Sequence, residues 1–462
     1  MRKVPLTVCV VGGGFTGTAA AIACLARFDR PFRLVVVEPT ASLGCGVAYG
    51  AGHPLHLLNV RTRDLSVRAS QPGDFLNWAF CQLDQGEGHA GLHEGLAHTF
   101  LPRQFFGEYV RDRFFEGADA RLDVELKIVN AVATACVGDG GQFTLHFDRA
   151  EPLEADIVLL ATAYGLAAST PTGALAPFDV LPPARFANAR SMALIGSGLT
   201  MVDVLLSARR HGFQGKVTVI SPHGQLPRLH AAKGVVPHEI GLPRSKRLSG
   251  LTAAVAIACA AAEAHGTPWQ AIINGLRASL QDIWRGLPIE EQSRFLRHVR
   301  PLWDAHRHRL PLEVHARLQA EFNEGRAVQL HGRVTKVERE GQRFKLILTR
   351  RGAKQAEVMT ADLAFACTGH RPDLRSPLIK SLVNRGAARE DAHRLGLAVE
   401  PNGQVLGKSG APTRGLFALG PLCQGSLWEI TAVPEIVRQC DAAAQSIAAL
   451  EQLAERDVEL SG

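Results

Sequence analysis

The chain has 462 residues, a net charge of +7, 46% hydrophobic and 21% charged residues, which suits two or three soluble globular domains. Its cations are scattered, with no long lysine or arginine tract; this argues against nucleic acid, while an anionic cofactor or substrate suits the sign of the charge. Nine cysteines, an odd number with no C-x-x-C or C-x₄-C spacing, exclude a disulfide framework and point to reduced thiols and a cytoplasmic location.

The first apolar stretch, "LTVCVVGGGFTGTAAAIACLA" (Leu6 to Ala26), approaches the length of a membrane crossing, but glycines interrupt it. Thr7 to Val11 read as a buried strand and Phe15 to Arg27 as a helix, and the short basic lead does not read as a signal peptide. Gly12, Gly14 and Gly17 fall in the G-x-G-x-x-G order: a tight turn, close approach of a pyrophosphate, and close packing of helix on strand. The helix start at Phe15 and Thr16 offers N–H groups and a positive dipole end to phosphates. A second strand, "RLVVVE", ends in Glu38, placed to accept hydrogen bonds from an adenosine ribose.

From Ser191 the pattern returns in "SMALIGSGLTMVDVLL", with Gly196 and Gly198 in the turn, Leu199 and Thr200 opening the helix, and Met201 where a third glycine would stand. The next strand, "KVTVIS", ends at Ser221 rather than an acid, which favours NADPH over NADH because no carboxylate repels a 2′-phosphate there. Each half continues with a strand, a two-strand meander and a buried strand ending in a small-residue triplet, Ala161-Thr162-Ala163 and Cys367-Thr368-Gly369. Between them, "LTAAVAIACAAAEA" reads as a core helix too short to span a bilayer. Arg294 to Arg309 crowds arginine and histidine around Trp303, suited to a 2′-phosphate, to a domain interface, or simply to a basic helix packed by its Trp and Leu positions. His306 and His308 do not share a helix face, so no metal site is expected. Finally Leu416 to Leu419 form a short strand before Gly420-Pro421 and an amphipathic helix; that strand is expected to rejoin the first sheet, making the second domain an insertion.

Two glycine turns, two triplets and the final "ALGP" resemble the two-dinucleotide-domain flavoproteins, in which the first turn holds FAD and the second NAD(P)H. Four stretches are more narrowly similar to the subgroup of the HpyO-type FAD-dependent urate hydroxylase and the bacterial aspartate N-monooxygenases: "LGCGVAYGAGHPLHLLNVRTRDLSV", "FLPRQFFGEYV", "RFLRHVRPLWDAHRHRLP" and "GSLWEITAVPEI". The resemblance implies an α/β fold of two Rossmann-like domains with β-meanders and a helical segment. The domains implied are 1–188 for FAD, 189–370 for NAD(P)H with a helical insertion at about 245–325, and 371–462 returning to the first. It also implies that Asn59, Val60, Thr162, Gly420 and Pro421 lie along FAD, and that Trp428, Glu429 and Thr431 lie near the flavin ring, where Trp428 could stack on a planar substrate. Arg103 is a candidate for the flavin pyrophosphate or an anionic substrate, or is simply solvated. No catalytic residue is assigned.

Two dinucleotide sites imply hydride transfer from nicotinamide to flavin. Cys45 stands where a reductase's cysteine pair would begin, but no second cysteine follows, so oxygen is the simpler acceptor. The expectation is a monooxygenase using O₂ and a small nitrogen-rich substrate: urate first, an amino acid hydroxylated at nitrogen second. A flavin-binding redox sensor without turnover is the third reading.

Overall fold

The computed structural model describes residues 5–40, 43–50, 56–83, 90–165, 173–177, 179, 181–232, 234–243, 245–369 and 371–461. In chain order the first half contributes β1 (Leu6–Val11), β2 (Phe32–Val37), β3 (Glu125–Val129), β4 (Ala133–Asp139), β5 (Gln142–Phe147), β6 (Leu153–Ala155) and β7 (Ile157–Leu160). The second half contributes β8 (Ser191–Ile195), β9 (Lys216–Ser221), β10 (Ala327–Glu340), β11 (Arg343–Arg350), β12 (Glu357–Ala361) and β13 (Leu363–Ala366), and the chain closes with β14 (Gln404–Leu406) and β15 (Pro412–Ala418).

The first sheet runs β14-β15-β7-β1-β2-β3, and β15 lies parallel to β7 with Ala418 opposite Leu160. The apolar strand after the second triplet thus pairs next to the strand that ends in the first triplet. β1 is buried on both faces, as a near-continuous apolar run in a parallel sheet should be. Val8 and Val10 enter a core with the Phe15–Arg27 and Val433–Ser461 helices, while Cys9 and Val11 enter another with the separate β4-β5-β6 sheet and the Pro377–Arg385 helix.

The second sheet runs β12-β11-β10-β9-β8-β13. The internal echo is therefore incomplete. In the first half the meander forms its own sheet; in the second, β10 is long enough to pair with β9 at its start and β11 at its end, with a bulge between Val334 and Lys336.

Two readings of the helical region change. The Leu248–Ala264 helix is not a core helix: only Leu248 and Leu251 are buried, and Ile257 is 69% exposed. Its sequence is apolar all round, which by composition alone reads as buried, but only its first turn is fully buried and residues such as Val255 and Cys259 are half-buried. The segment from Arg294 to Arg309 is not one helix. A π-helical turn, Phe295–Val299, separates Ile289–Arg294 from Arg300–Arg307. Among the described residues no helix is long and apolar enough to cross a membrane.

Candidate functional site

At the first glycine turn Gly12 takes φ 106°, and a Cβ there would lie 2.5 Å from the Ala161 carbonyl oxygen. A Cβ on Gly17 would fall onto the carbonyl of Gly12, so both glycines are required by packing before any ligand is considered. Gly14 caps the helix without a side-chain bond, and the first turn carries no acid. The helix start, with Phe15 and Thr16, is thus a cradle of backbone donors suited to a pyrophosphate. Glu38 follows β2 and is half-buried; its carboxylate accepts from Gly13 N at 2.8 Å and from Thr40 N and Oγ1 at 3.1 and 2.8 Å. It keeps acceptor capacity beside the turn, where an adenosine ribose would lie.

The last turn closes on the same helix. Gly420 has φ 65°, and a Cβ there would sit 2.7 Å from Thr16 Oγ1; its N–H donates to Gln439 Oε1 at 2.8 Å, with Pro421 buried next to it. Thr162 follows Ala161 beneath Gly12, and Ala163, the last residue of the first triplet, adopts φ 48°. An alanine held in the left-handed region is a local strain at the mouth of the turn.

The second turn repeats the geometry with more room. Gly196 has φ 114°, its missing Cβ directed onto the Cys367 carbonyl, while a Cβ on Gly198 would meet no described atom within 4 Å. Leu199 and Thr200 begin the helix half-buried, and Met201 is fully buried in the core that the third glycine would have narrowed. Ser221 does not present an open hydroxyl. It is buried, and its Oγ accepts from Gly224 N at 3.1 Å, closing the loop after β9.

A cavity of about 560 Å³ has Asn59, Val60, Arg61, His230, Asn274, Arg277, Arg307 and Arg309 in its wall, with Pro434 and Val437 of the C-terminal helix. The Asn59 carbonyl accepts from His230 Nε2 at 2.9 Å, and Phe100 packs on the imidazole at 4.9 Å. Burial, with Arg309 adding repulsion, pushes the His230 pKa down to about 3, so the ring is neutral with its proton on Nε2. Arg103 is neither solvated nor turned to the first glycine turn: its Nη1 lies 2.9 Å from Asp203 and its Nε donates to Leu57 O at 3.1 Å. With His56 Nε2 2.6 Å from Ser207 Oγ, it ties the loop before Asn59 to the Leu199–Arg210 helix. Burial pushes the Asp203 carboxyl up, against the opposing pull of Arg103.

Trp428 is core. It is 3% exposed, with Trp284 at 5.1 Å, Phe295 at 5.2 Å and the Arg300 guanidinium at 5.5 Å over its ring, so it is no open stacking platform. Thr431 is half-buried in the turn before the C-terminal helix. The third residue of that stretch is engaged by the protein's own side chains. Glu429 takes φ 67°, is buried, and accepts from Trp303 Nε1 at 2.6 Å while facing Arg307 Nε at 3.2 Å. Asp304, His308 and Glu429 bring possible metal-ligand atoms within 4.8 Å of one another. The charges of Arg307 and Arg300 on this cluster disfavour a metal ion there.

The sequence pointed to Arg309 through the crowding of Arg294 to Arg309, but not to Arg61, Arg277 or His230, which come from distant segments that meet only in the fold.

Residues 9–165 match the model of an FAD-NAD(P)-binding family. Curated proteins give no match. Among solved structures the chain is similar to the ornithine N-hydroxylase of Kutzneria sp. 744, at 14% identity over 97% of this chain and 100% of that one, with a TM-score of 0.61. It is similar to the L-lysine 6-monooxygenase of Pseudomonas syringae, at 13% identity over 95% and 98% of the two chains, TM-score 0.58. It also resembles the bacillithiol disulfide reductase of Bacillus cereus, at 15% identity over 96% and 99%, TM-score 0.54. The fold is thus a two-dinucleotide-domain α/β fold shared by monooxygenases and disulfide reductases.

Proposed function

We propose that this chain is an FAD-dependent monooxygenase that draws electrons from NADPH, or NADH, and uses O₂ to hydroxylate a nitrogen of a small amino-acid-like substrate. The first glycine turn with Glu38 and Gly420 would hold FAD, and the turn at Gly196 and Gly198 would hold the nicotinamide dinucleotide. FAD, when bound, supplies the electron transfer from nicotinamide to oxygen. The protein orients both nucleotides and the substrate.

The observation that carries the choice is Cys45. A disulfide reductase needs a reactive thiolate with a partner thiol beside the flavin. Burial pushes the Cys45 thiol up, against the weaker pull of Arg111, and all nine cysteines are free in the structure. Oxygen is left as the acceptor. The neighbouring amino-acid hydroxylases favour nitrogen as the site of attack, and the urate expectation loses its stacking residue because Trp428 is enclosed.

The test follows NADPH oxidation and oxygen uptake while amino acids and purines are added to the purified protein. The true substrate should accelerate both and appear as hydroxylated product in matching amount. Cys45→Ala should retain most of that activity. Fast turnover that persists under strict anaerobiosis, or is abolished by Cys45→Ala, overturns the reading.

A further inference from the structure

The loop before Asn59 belongs to the first half of the chain but is held by the second. Leu57 packs against the core that includes Met201, Val202 and Leu205 of the Leu199–Arg210 helix. His56 Nε2 lies 2.6 Å from Ser207 Oγ, and the ring also bonds the Asp203 backbone. The Asn59 carbonyl accepts from His230 Nε2 at 2.9 Å. Arg103 joins the two sides. Its backbone N–H donates to His56 O at 2.9 Å and its Nε to Leu57 O at 3.1 Å, while its Nη1 stands 2.9 Å from the Asp203 carboxylate.

Asp203 and Ser207 lie one turn apart on a helix that begins at the second glycine turn. The start of that helix has no side-chain cap and no acid in its first turn, so its backbone donors are left for an anion. At 1.5 Å per residue, Asp203 lies about 6 Å along the axis from Leu199. Asp203 is buried, and a phosphate at the helix start is near enough to act on it through a poorly solvated medium. The Arg103 guanidinium is the cation on which both anions draw, and any pull on it is felt at the Leu57 carbonyl, two residues before Asn59. As glue alone a buried ion pair is a poor choice, because apolar side chains of the same volume are about as stabilising. A shared guanidinium responds to charge, which apolar packing cannot do.

We infer that Arg103 is a positioning residue that, with Ser207 as a second pin, carries occupation of the second dinucleotide turn to the loop at Asn59 and Val60, and so to the flavin. This rests on the reading that the first turn holds FAD and the second a nicotinamide dinucleotide; it does not depend on what the reduced flavin then acts upon. By linkage, the same contacts make the affinities for flavin and dinucleotide depend on one another.

The experiment records absorbance difference spectra of the purified FAD-loaded protein during titration with 2′-phospho-ADP-ribose and with ADP-ribose. Neither ligand has a nicotinamide to lay on the flavin ring, so a change in the flavin bands must travel through the protein. The wild type should show a saturable change with at least one of them. Ser207→Ala should reduce its amplitude, Arg103→Met should remove most of it, and the double variant should lose it. Arg103→Lys, which keeps a cation beside Asp203, should restore part. Calorimetry should find the ligand still bound by every variant, within about tenfold of the wild-type Kd, because Gly196 and Gly198 are untouched. Arg209→Met breaks a buried ion pair on the same helix, with Glu321 at 2.7 Å, whose other bonds go to Phe213 and Gly215 and not to the loop; it should keep the full change. Melting temperature and flavin content identify a variant that has lost its fold, and Ser207→Ala removes only a hydroxyl. A wild type that binds the ligand with no change in the flavin bands, or a double variant that keeps the change, overturns the inference. If neither ligand binds, the second turn holds no dinucleotide and the inference falls with that assignment. A saturable change lost in the double variant, in a protein with no substrate-stimulated oxygen uptake, sinks the monooxygenase reading and leaves this one standing. Oxygen-linked turnover in a protein whose flavin bands ignore the bound ligand does the reverse.

Discussion

Glu429 faces the Arg307 guanidinium across 3.2 Å from a backbone held at φ 67°, with both side chains about 5% exposed. The same carboxylate accepts a hydrogen bond from the Trp303 indole N–H, so one strained residue fixes a cavity arginine and a half-buried tryptophan together. A non-glycine side chain in the left-handed region costs of order 1 kcal/mol or more, and it persists where surrounding bonds over-determine it.

Glu429→Gln should therefore destabilise the fold by about 3 kcal/mol, because it leaves Arg307 buried without its charge partner. Glu429→Gln combined with Arg307→Met should cost less than Glu429→Gln alone, since no buried charge then stands unpaired. Glu429→Gly should be less damaging than Glu429→Ala by about 1 kcal/mol, as glycine relieves the backbone. Urea unfolding of the four variants reads all three differences; a double variant less stable than Glu429→Gln removes the argument.

Gly14→Val should abolish flavin binding. A Cβ at Gly14 already approaches Gly46 Cα to 3.3 Å, and two further methyl groups would occupy the approach to the helix start. The purified wild-type protein should be yellow and contain FAD rather than FMN, since Glu38 stands where an adenosine ribose, which FMN lacks, would meet its spare acceptor capacity. Absorbance near the flavin bands and mass analysis of the released cofactor check both; a colourless protein that does not take up added FAD ends this assignment.

NADPH should be preferred to NADH, and Ser221→Asp should shift the kcat/KM ratio towards NADH by about tenfold through repulsion of the 2′-phosphate. Ser221 is buried and its hydroxyl already accepts from Gly224 N, so the added carboxylate inherits that donor but is poorly solvated. The variant should melt at a lower temperature for that reason. Stopped-flow reduction with each dinucleotide separates the two effects.

The parts legible in the sequence are those where the backbone demands a particular residue. Gly12, Gly17 and Gly196 each oppose a carbonyl that a Cβ would strike, and the strand before Gly420 had only a sheet edge to complete. The parts that were not legible arise from meetings across the chain. Arg61 and Arg277 lie in separate segments with ordinary spacing, and nothing local distinguishes them from solvated arginines; Arg309 stood out only as one member of a crowded stretch. Trp428 as a stacking residue and Trp428 as core have the same sequence; only Trp284 and Phe295, far away in the chain, decide between them. Ser221 was read by what it lacked, an acid, whereas its hydroxyl is occupied in closing a turn.

His230 makes the stability of the site depend on pH in a predictable direction. Its pKa is lowered to about 3 from 6.5, so between those values the unfolded chain binds a proton that the folded chain refuses. Stability from this group is complete above about pH 6.5 and is lost as pH falls towards 3, at no more than roughly 1.4 kcal/mol per pH unit. Carboxylates whose folded pKa is lowered, such as Asp362, lose stability on acidification too, so the wild-type slope alone cannot be assigned to the histidine. His230→Gln isolates it. The amide can still donate to the Asn59 carbonyl and does not titrate, so the variant should lose less stability than wild type between pH 7 and pH 5, even if it starts lower. Urea midpoints at both pH values for both proteins give the comparison. Parallel loss in the two would mean that His230 is protonated in the folded state, and the cation-rich wall around it would then need an anion already present.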